Sequence, residues 1–389
     1  MKIREIFTEL VNHLDKKQVT VITGMRRVGK TTALKYLLQN IDSDNKAYFD
    51  LEKIENRYIF NQNTTKDIEI GLQIEGIDLT RKAWIAIDEI QLVPTITSAI
   101  KYLYDTYDIK FLVSGSSSFY LKNHFTESLA GRKTIFEMYP LSFREFLSFK
   151  DVEIHWNSPD TFPAFNQVFY NKYQSYYNEY LLYGGFPEVV TCTIEKDKLY
   201  YLKDIINSYI ELDIKLLSDF SQSDNLYKLI QLLSSRAGNK LDYTKIGDVL
   251  NINRQKVKDY ITLLQYTYFI RLVAPYSISP DREISQQPKI YFADNGLLWA
   301  LGNRNEGALL ENAIANQLAF KGELNYYAKK NGQEIDFILK KQVAFEVKQT
   351  PVASDYQTLE RRAKSIGIDK CYLIGLHPAN QDLCWAGNI

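Results

Sequence analysis

The sequence predicts an α/β chain of three domains, and three observations carry that prediction. From residue 18 to about residue 149, short apolar, β-branched runs alternate with helically spaced segments, the pattern of a parallel sheet covered by helices. Between the first such run and the first helix lies a glycine loop, Gly24-Met25-Arg26-Arg27-Val28-Gly29-Lys30-Thr31. After residue 307, a helix, three strand-like runs, a second helix and a fourth strand follow in order. With 389 residues, 45% of them apolar, the chain is long enough to fill more than one core. We divide it at 1–155, 156–285 and 286–389.

The loop matters for its neighbours. Val19-Thr20-Val21-Ile22-Thr23 before it reads as a buried strand, and Thr32-Ala33-Leu34-Lys35-Tyr36-Leu37-Leu38 after it has helical spacing. A G-x-x-x-x-G-K-[ST] loop between strand and helix points its amides and the helix dipole at a polyphosphate. Residues 24–32 therefore form the expected ATP-binding segment, with Lys30 on the β/γ oxygens and Thr31 on Mg²⁺.

Further strands are expected at 46–50, 83–87, 109–114 and 133–138. The third ends in Asp88-Glu89-Ile90-Gln91, where Asp88 is expected to hold Mg²⁺ through water and Glu89 to polarise the attacking water. The fourth runs into Ser114-Gly115-Ser116-Ser117-Ser118, beside the Asp-Glu strand. A hydroxyl there can sense the γ-phosphate, and the sequence does not choose between Ser114 and Ser116. Asp50 ends the second strand as a weaker candidate for outer contacts to the ion. Arg132, in Leu129-Ala130-Gly131-Arg132, is a candidate for neutralising transition-state charge, although an ordinary surface arginine reads the same way. Tyr139-Pro140-Leu141-Ser142-Phe143-Arg144-Glu145-Phe146-Leu147 reads as a turn entering a capped helix.

Together the loop Met25 to Thr31, Ile87-Asp88-Glu89-Ile90-Gln91, Ser114-Gly115-Ser116-Ser117, Leu129-Ala130-Gly131-Arg132 and Pro140-Leu141-Ser142-Phe143-Arg144-Glu145-Phe146 resemble a known family. They are similar to the bacterial and archaeal AAA-like ATPases with a C-terminal domain of unknown function. The resemblance spans essentially the whole chain. It implies an additional-strand P-loop fold, and it favours Arg132 as an arginine finger. One departure is visible: Met25-Arg26-Arg27 stands where members of that family often carry Pro-Arg-Gln.

The middle of the chain is helical and aromatic over 161–235, broken by Gly184-Gly185-Phe186-Pro187-Glu188, a rigid turn. In the resembled family the same turn recurs. Tyr243 to Leu250 reads as one helix, Asn251-Ile252-Asn253 as a turn, and Arg254 to Tyr266 as a second helix with Val257, Ile261 and Leu264 on one face. Tyr268-Phe269-Ile270-Arg271-Leu272-Val273 then alternates like a wing strand. This is a winged helix-turn-helix pattern with Arg254, Lys256 and Lys258 where recognition helices meet the major groove. Arg236 to Arg271 carries seven Lys/Arg against three Asp. DNA is thus a candidate partner, although such helices also serve as packing modules.

In the C-terminal domain, Asp336, Glu346 and Lys348 give D-x₉-E-x-K, with Glu311 on the preceding helix. Asp336 and Glu346 are expected to share Mg²⁺, with Lys348 orienting water, as phosphodiester hydrolysis requires. The order of elements resembles the PD-(D/E)-x-K restriction-endonuclease and Holliday-resolvase fold. Such a domain either cleaves or is retained for binding.

Formal net charge is zero, so a globally basic nucleic-acid coat is excluded and any contact must be local. Cys192, Cys371 and Cys384 show no C-x-x-C spacing, which argues against a zinc site and for a reducing compartment. No run of about 18 apolar residues occurs, so the expectation is a cytoplasmic protein with no membrane partner. The expected function is Mg²⁺-dependent ATP hydrolysis coupled to DNA binding or processing. The alternative is a nucleotide-controlled switch whose output is a protein partner, and an Arg132 acting in trans would require self-oligomerisation. The tyrosines, 28 in all, are expected to fill cores and interfaces.

Overall fold

The structure, a computed structural model, describes residues 1–115, 129–154, 162–214, 223–277, 286–329, 332–378 and 383–389. Two compact units result: one is mainly Met1–Tyr139, and the other holds most of the chain from Pro140 to Ile389.

The first unit is built on β1 (Val19–Thr23), β2 (Lys46–Asp50), β3 (Ala83–Asp88), β4 (Ile109–Gly115) and β5 (Lys133–Glu137). All neighbours are parallel, in the order β2-β3-β4-β1-β5. Each strand lies within one residue of its expected bounds. Parallel strands are covered on both faces, which is why β1 and β4 are buried throughout and read as unbroken apolar runs. The strand β4 is inserted between β1 and β3, so the carboxyl ends of three strands meet at one edge. The helix Lys30–Gln39 buries Ala33, Leu34 and Leu37, the i, i+1, i+4 face against the sheet.

The second unit opens with the helix Phe143–Phe149, whose capping box is formed: the Ser142 hydroxyl accepts from the Glu145 amide, and the Glu145 carboxylate accepts from the Ser142 amide, both at 3.1 Å. The helix Gln167–Tyr183 buries Tyr173, Tyr177 and Tyr180, and Tyr177 packs on Phe143 and Trp385. Core filling by tyrosine is thus observed here. The turn at Gly184-Gly185 is fixed by packing within this unit. Gly184 has φ 71°, and a Cβ there would lie 1.9 Å from an Asp294 carboxylate oxygen. The Gly185 amide donates to Asp294 Oδ2 at 2.6 Å, and its carbonyl accepts from the Leu141 amide at 2.7 Å.

The helices Tyr243–Leu250 and Arg254–Tyr266 have their expected bounds, and Val257, Ile261 and Leu264 are buried as the spacing predicts. Asn253 caps the second helix, accepting from the Lys256 amide at 2.7 Å. An antiparallel hairpin of β6 (Ile270–Pro275) and β7 (Lys289–Phe292) follows. The remaining strands are β8 (Leu324–Ala328), β9 (Glu334–Leu339), β10 (Val343–Lys348), β11 (Lys370–Gly375) and β12 (Cys384–Trp385). They extend the hairpin into one seven-stranded sheet, β12-β11-β10-β9-β8-β6-β7. Strands from both sides of residue 285 therefore share one sheet. The crossover helix Ala353–Lys364 joins the parallel pair β10 and β11. Among the described residues no helix is long and apolar enough to cross a membrane.

Candidate functional site

The loop after β1 is shaped by what crosses it. The Met138 amide donates to the Thr23 carbonyl at 2.7 Å, and a Cβ on Gly24 would lie 2.1 Å from the Met138 carbonyl oxygen, so only glycine fits. Met25 and Val28 are buried and anchor the loop, whereas Arg27 takes a left-handed backbone (φ 64°). Gly29 ends the loop as the N-cap of the helix carrying Lys30, Thr31 and Thr32. The Lys30 ammonium reaches back across the loop to the Gly24 and Met25 carbonyls at 3.1 and 2.8 Å. Arg26 pairs with Glu52 at 3.5 Å.

Asp88 gathers the surrounding side chains. Its Oδ2 accepts from the Thr31 hydroxyl at 2.6 Å and from the Tyr48 hydroxyl at 2.8 Å, and its Oδ1 accepts from the Ser114 hydroxyl. The Ser114 oxygen in turn accepts from the Glu89 amide at 3.3 Å. Asp88 and Ser114 are almost completely buried. Glu89 stands in a left-handed conformation (φ 56°), a strained setting for a residue with a Cβ, and Gln91 donates to its carboxylate. Burial, and then the charge of Asp88, raise the Tyr48 phenol well above its ordinary range, so it remains a hydrogen-bond donor at neutral pH.

The structure thus brings Thr31, Asp88, Glu89 and Ser114 together, with Lys30 on the adjoining loop, while Ser116 lies outside the described residues. Tyr48 and Gln91 were not foreseen. Tyr48 is two residues from the end of β2, and only the pairing of β2 with β3 brings it to Asp88. Asp50 instead closes its own turn, accepting from the Glu52 amide at 2.9 Å.

Arg132 stands away from the loop of its own chain. Its carbonyl accepts from the Val19 amide at 2.8 Å, at the start of β1, whereas the loop follows the end of β1. The four steps from Val19 to Thr23, at about 3.3 Å each, separate those edges by roughly 13 Å. Its guanidinium pairs with Asp105 at 2.8 Å. The structure does not bring Arg132 to the loop of its own chain, because β5 runs parallel to β1 and the residue preceding it falls at the far edge.

The second constellation lies on the C-terminal sheet. Asp336 on β9 and Glu346 on β10 sit one step beyond the paired Phe337 and Phe345. Asp336 Oδ2 accepts from the Val347 amide at 2.9 Å, and Lys348 donates to Glu346 Oε1 at 2.9 Å. Glu311 belongs to the same cluster, but its Oε1 accepts from Tyr291 at 2.6 Å and from Lys289 at 3.2 Å. Lys289, on β7 and 4% exposed, also pairs with Glu334 at 2.5 Å. Burial lowers the Lys289 ammonium's proton affinity, yet the charges of Glu311, Asp336 and Glu334 outweigh that and hold it above its ordinary value. Burial, then repulsion by Glu346 and Glu311, pushes the Asp336 carboxyl well up.

The expected quartet is therefore assembled, with an unforeseen lysine inside it. Among the described residues no group of three His, Cys, Asp or Glu side chains is placed to hold a metal ion. As arranged, the residues do not fit the Mg²⁺ expected on Asp336 and Glu346: the donors of Glu311 and Glu334 face an ammonium.

Comparison with known proteins agrees with the first unit. Residues 16–147 match the family model described as an AAA domain, residues 174–307 a domain of unknown function (DUF8612), and residues 306–387 another (DUF4143). An uncharacterized protein of Haemophilus influenzae is 28% identical over 367 residues, covering 89% of this chain and 87% of its own. An uncharacterized protein of Methanocaldococcus jannaschii is 26% identical over 388 residues, covering 96% and 85%. Among solved structures, the Aeropyrum pernix ORC1 protein in complex with DNA aligns at a TM-score of 0.33 and 12% identity, covering 81% of this chain and 94% of that one. The AAA match, the all-parallel sheet and the loop at the strand–helix junction give the first unit a P-loop NTPase fold.

Proposed function

We propose that the chain hydrolyses ATP with Mg²⁺ and couples nucleotide state to DNA binding. The observation that carries the ATPase reading is the Asp88 carboxylate, tied to Thr31 on one side and Ser114 on the other, with Glu89 next to it. Thr31 and Asp88 offer adjacent hard oxygens at the loop, a donor set that fits Mg²⁺. An ion held by Thr31 and Asp88 would supply positive charge against the β and γ phosphate oxygens. Gly24 to Thr32 cradle the phosphates, and Lys30 exchanges its loop carbonyls for phosphate oxygens. Glu89 orients the attacking water, with Gln91 fixing its carboxylate. Ser114 is a positioning residue, holding Asp88 and the Glu89 backbone together.

The DNA half rests on the helix pair and the β6–β7 hairpin, read as a winged helix. Arg254 is exposed at the start of the second helix, and Lys256 and Lys258 are half-buried. The order β9, β10, helix, β11 supports a restriction-endonuclease-like fold for the C-terminal sheet. A second reading, a nucleotide switch whose output is a protein partner, is favoured by the lysine within the acidic cluster, which suits binding better than cleavage.

ATP binding and turnover by Lys30→Ala and Glu89→Gln test the ATPase reading. Lys30→Ala should lose ATP binding. Glu89→Gln should retain binding and turn over ATP about 100-fold more slowly. Near-normal turnover by Glu89→Gln would remove Glu89 from its assigned role.

A further inference from the structure

We propose that Lys289 is the resident cation of the C-terminal acidic site: its ammonium stands among Glu311, Glu334 and Asp336 where a divalent ion would otherwise bind, and the site takes such an ion only once that charge is withdrawn. The inference is independent of the ATPase reading.

Charge balance and fixation of the lysine support it. Four carboxylates (Glu311, Glu334, Asp336, Glu346) share the cluster with Lys289 and Lys348, and Arg362 lies 3.9 Å from Glu346. Burying several acids together is unfavourable unless cations accompany them. An ammonium supplies three donors and a single charge, whereas a divalent ion would supply two charges and take oxygens all round.

The lysine cannot drift from this position while β7 holds its place. Lys289 pairs with Val273 in the hairpin, and flanking bonds run from the Leu241 amide to the Pro288 carbonyl (2.9 Å) and from the Ile290 amide to the Asn239 carbonyl (3.2 Å). Two residues along the strand, Tyr291 donates to the same Glu311 oxygen. Independent of these bonds, Glu346 is 8% exposed, and its Oε2 is buried with no hydrogen-bond partner. The cations present therefore leave one oxygen of Glu346 unmet, which a coordinating cation would satisfy.

Because β7 also pairs with the segment leading into the helix Tyr243–Leu250, displacing the strand would withdraw the lysine from the cluster. The site is in this sense latent, and its opening is tied to the helix pair.

Mn²⁺ binding to the full, nucleotide-free chain tests this, with Asp88→Asn in every sample to silence the loop site. Lys289→Met should bind one Mn²⁺ at least about tenfold more tightly than the chain retaining Lys289, and adding Asp336→Asn should abolish the gain. Equal Mn²⁺ affinity with and without Lys289, or no Mn²⁺ binding by folded Lys289→Met, would overturn the proposal. Should Lys289→Met not fold, the charge-balanced Lys289→Met/Glu311→Gln pair leaves Glu334, Asp336 and Glu346. Its unfolding midpoint should rise with Mn²⁺ while that of the chain retaining Lys289 and Glu311 does not. No such rise would also overturn the proposal.

Discussion

Asp88 spends both carboxylate oxygens on hydroxyl donors, and the Tyr48 donor at 2.8 Å is the one without a motif to announce it. A donor behind a ligating carboxylate fixes its orientation, and removing it typically weakens metal binding about 10- to 100-fold. Tyr48→Phe should therefore raise the Mg²⁺ concentration needed for half-maximal ATP turnover by about tenfold. An unchanged Mg²⁺ dependence would make Tyr48 a packing residue. Lys30, Thr31, Asp88 and Glu89 were legible in the sequence because loop, strand and helix follow one another within the chain. Tyr48 and Lys289 were not, since each reaches its partners only through a strand pairing between distant segments. Asp50, the nominally better acid on β2, turned back on its own backbone.

At the scale of elements, strands in the first unit were legible because burial on both faces leaves long apolar runs, and the helix pair because its caps and apolar face agree. The edge of the sheet on which a loop falls was less legible. Arg132 is close in sequence to β4, yet it precedes β5, which runs parallel to β1, so it falls at the edge where β1 begins and meets Asp105. The Gly184-Gly185 turn was readable as a turn but not as a socket for Asp294. Burial pushes that carboxyl up to about 7, although three backbone amides favour its charged form. Gly184→Ala combines a glycine-only backbone with a Cβ in the space of the Asp294 carboxylate. It should destabilise the second unit by at least about 2 kcal/mol, read as a fall in the denaturation midpoint. A change within error would mean that the turn adapts and Asp294 does not require it.

For the whole molecule, the fold divides between a unit with the P-loop NTPase fold and a larger unit in which the helix pair, the hairpin and the C-terminal sheet are continuous. That continuity was hidden in the sequence, where β6 and β7 read as the end of one domain and the start of another. The same continuity joins the helix pair, through the segment Asn239 to Leu241, to the strand bearing Lys289. With no net charge to draw nucleic acid, the proposed DNA coupling requires local cations, of which Arg254, Lys256 and Lys258 are the candidates, and it predicts binding that weakens with salt. The most direct measurement is ATP turnover by the full chain with Mg²⁺ at low salt, with and without duplex DNA, using Glu89→Gln as the control. The account predicts turnover that depends on Glu89, rises several-fold with DNA and loses that rise as salt increases. Turnover indifferent to DNA at every salt concentration would contradict the coupling, and turnover surviving in Glu89→Gln would contradict the site itself.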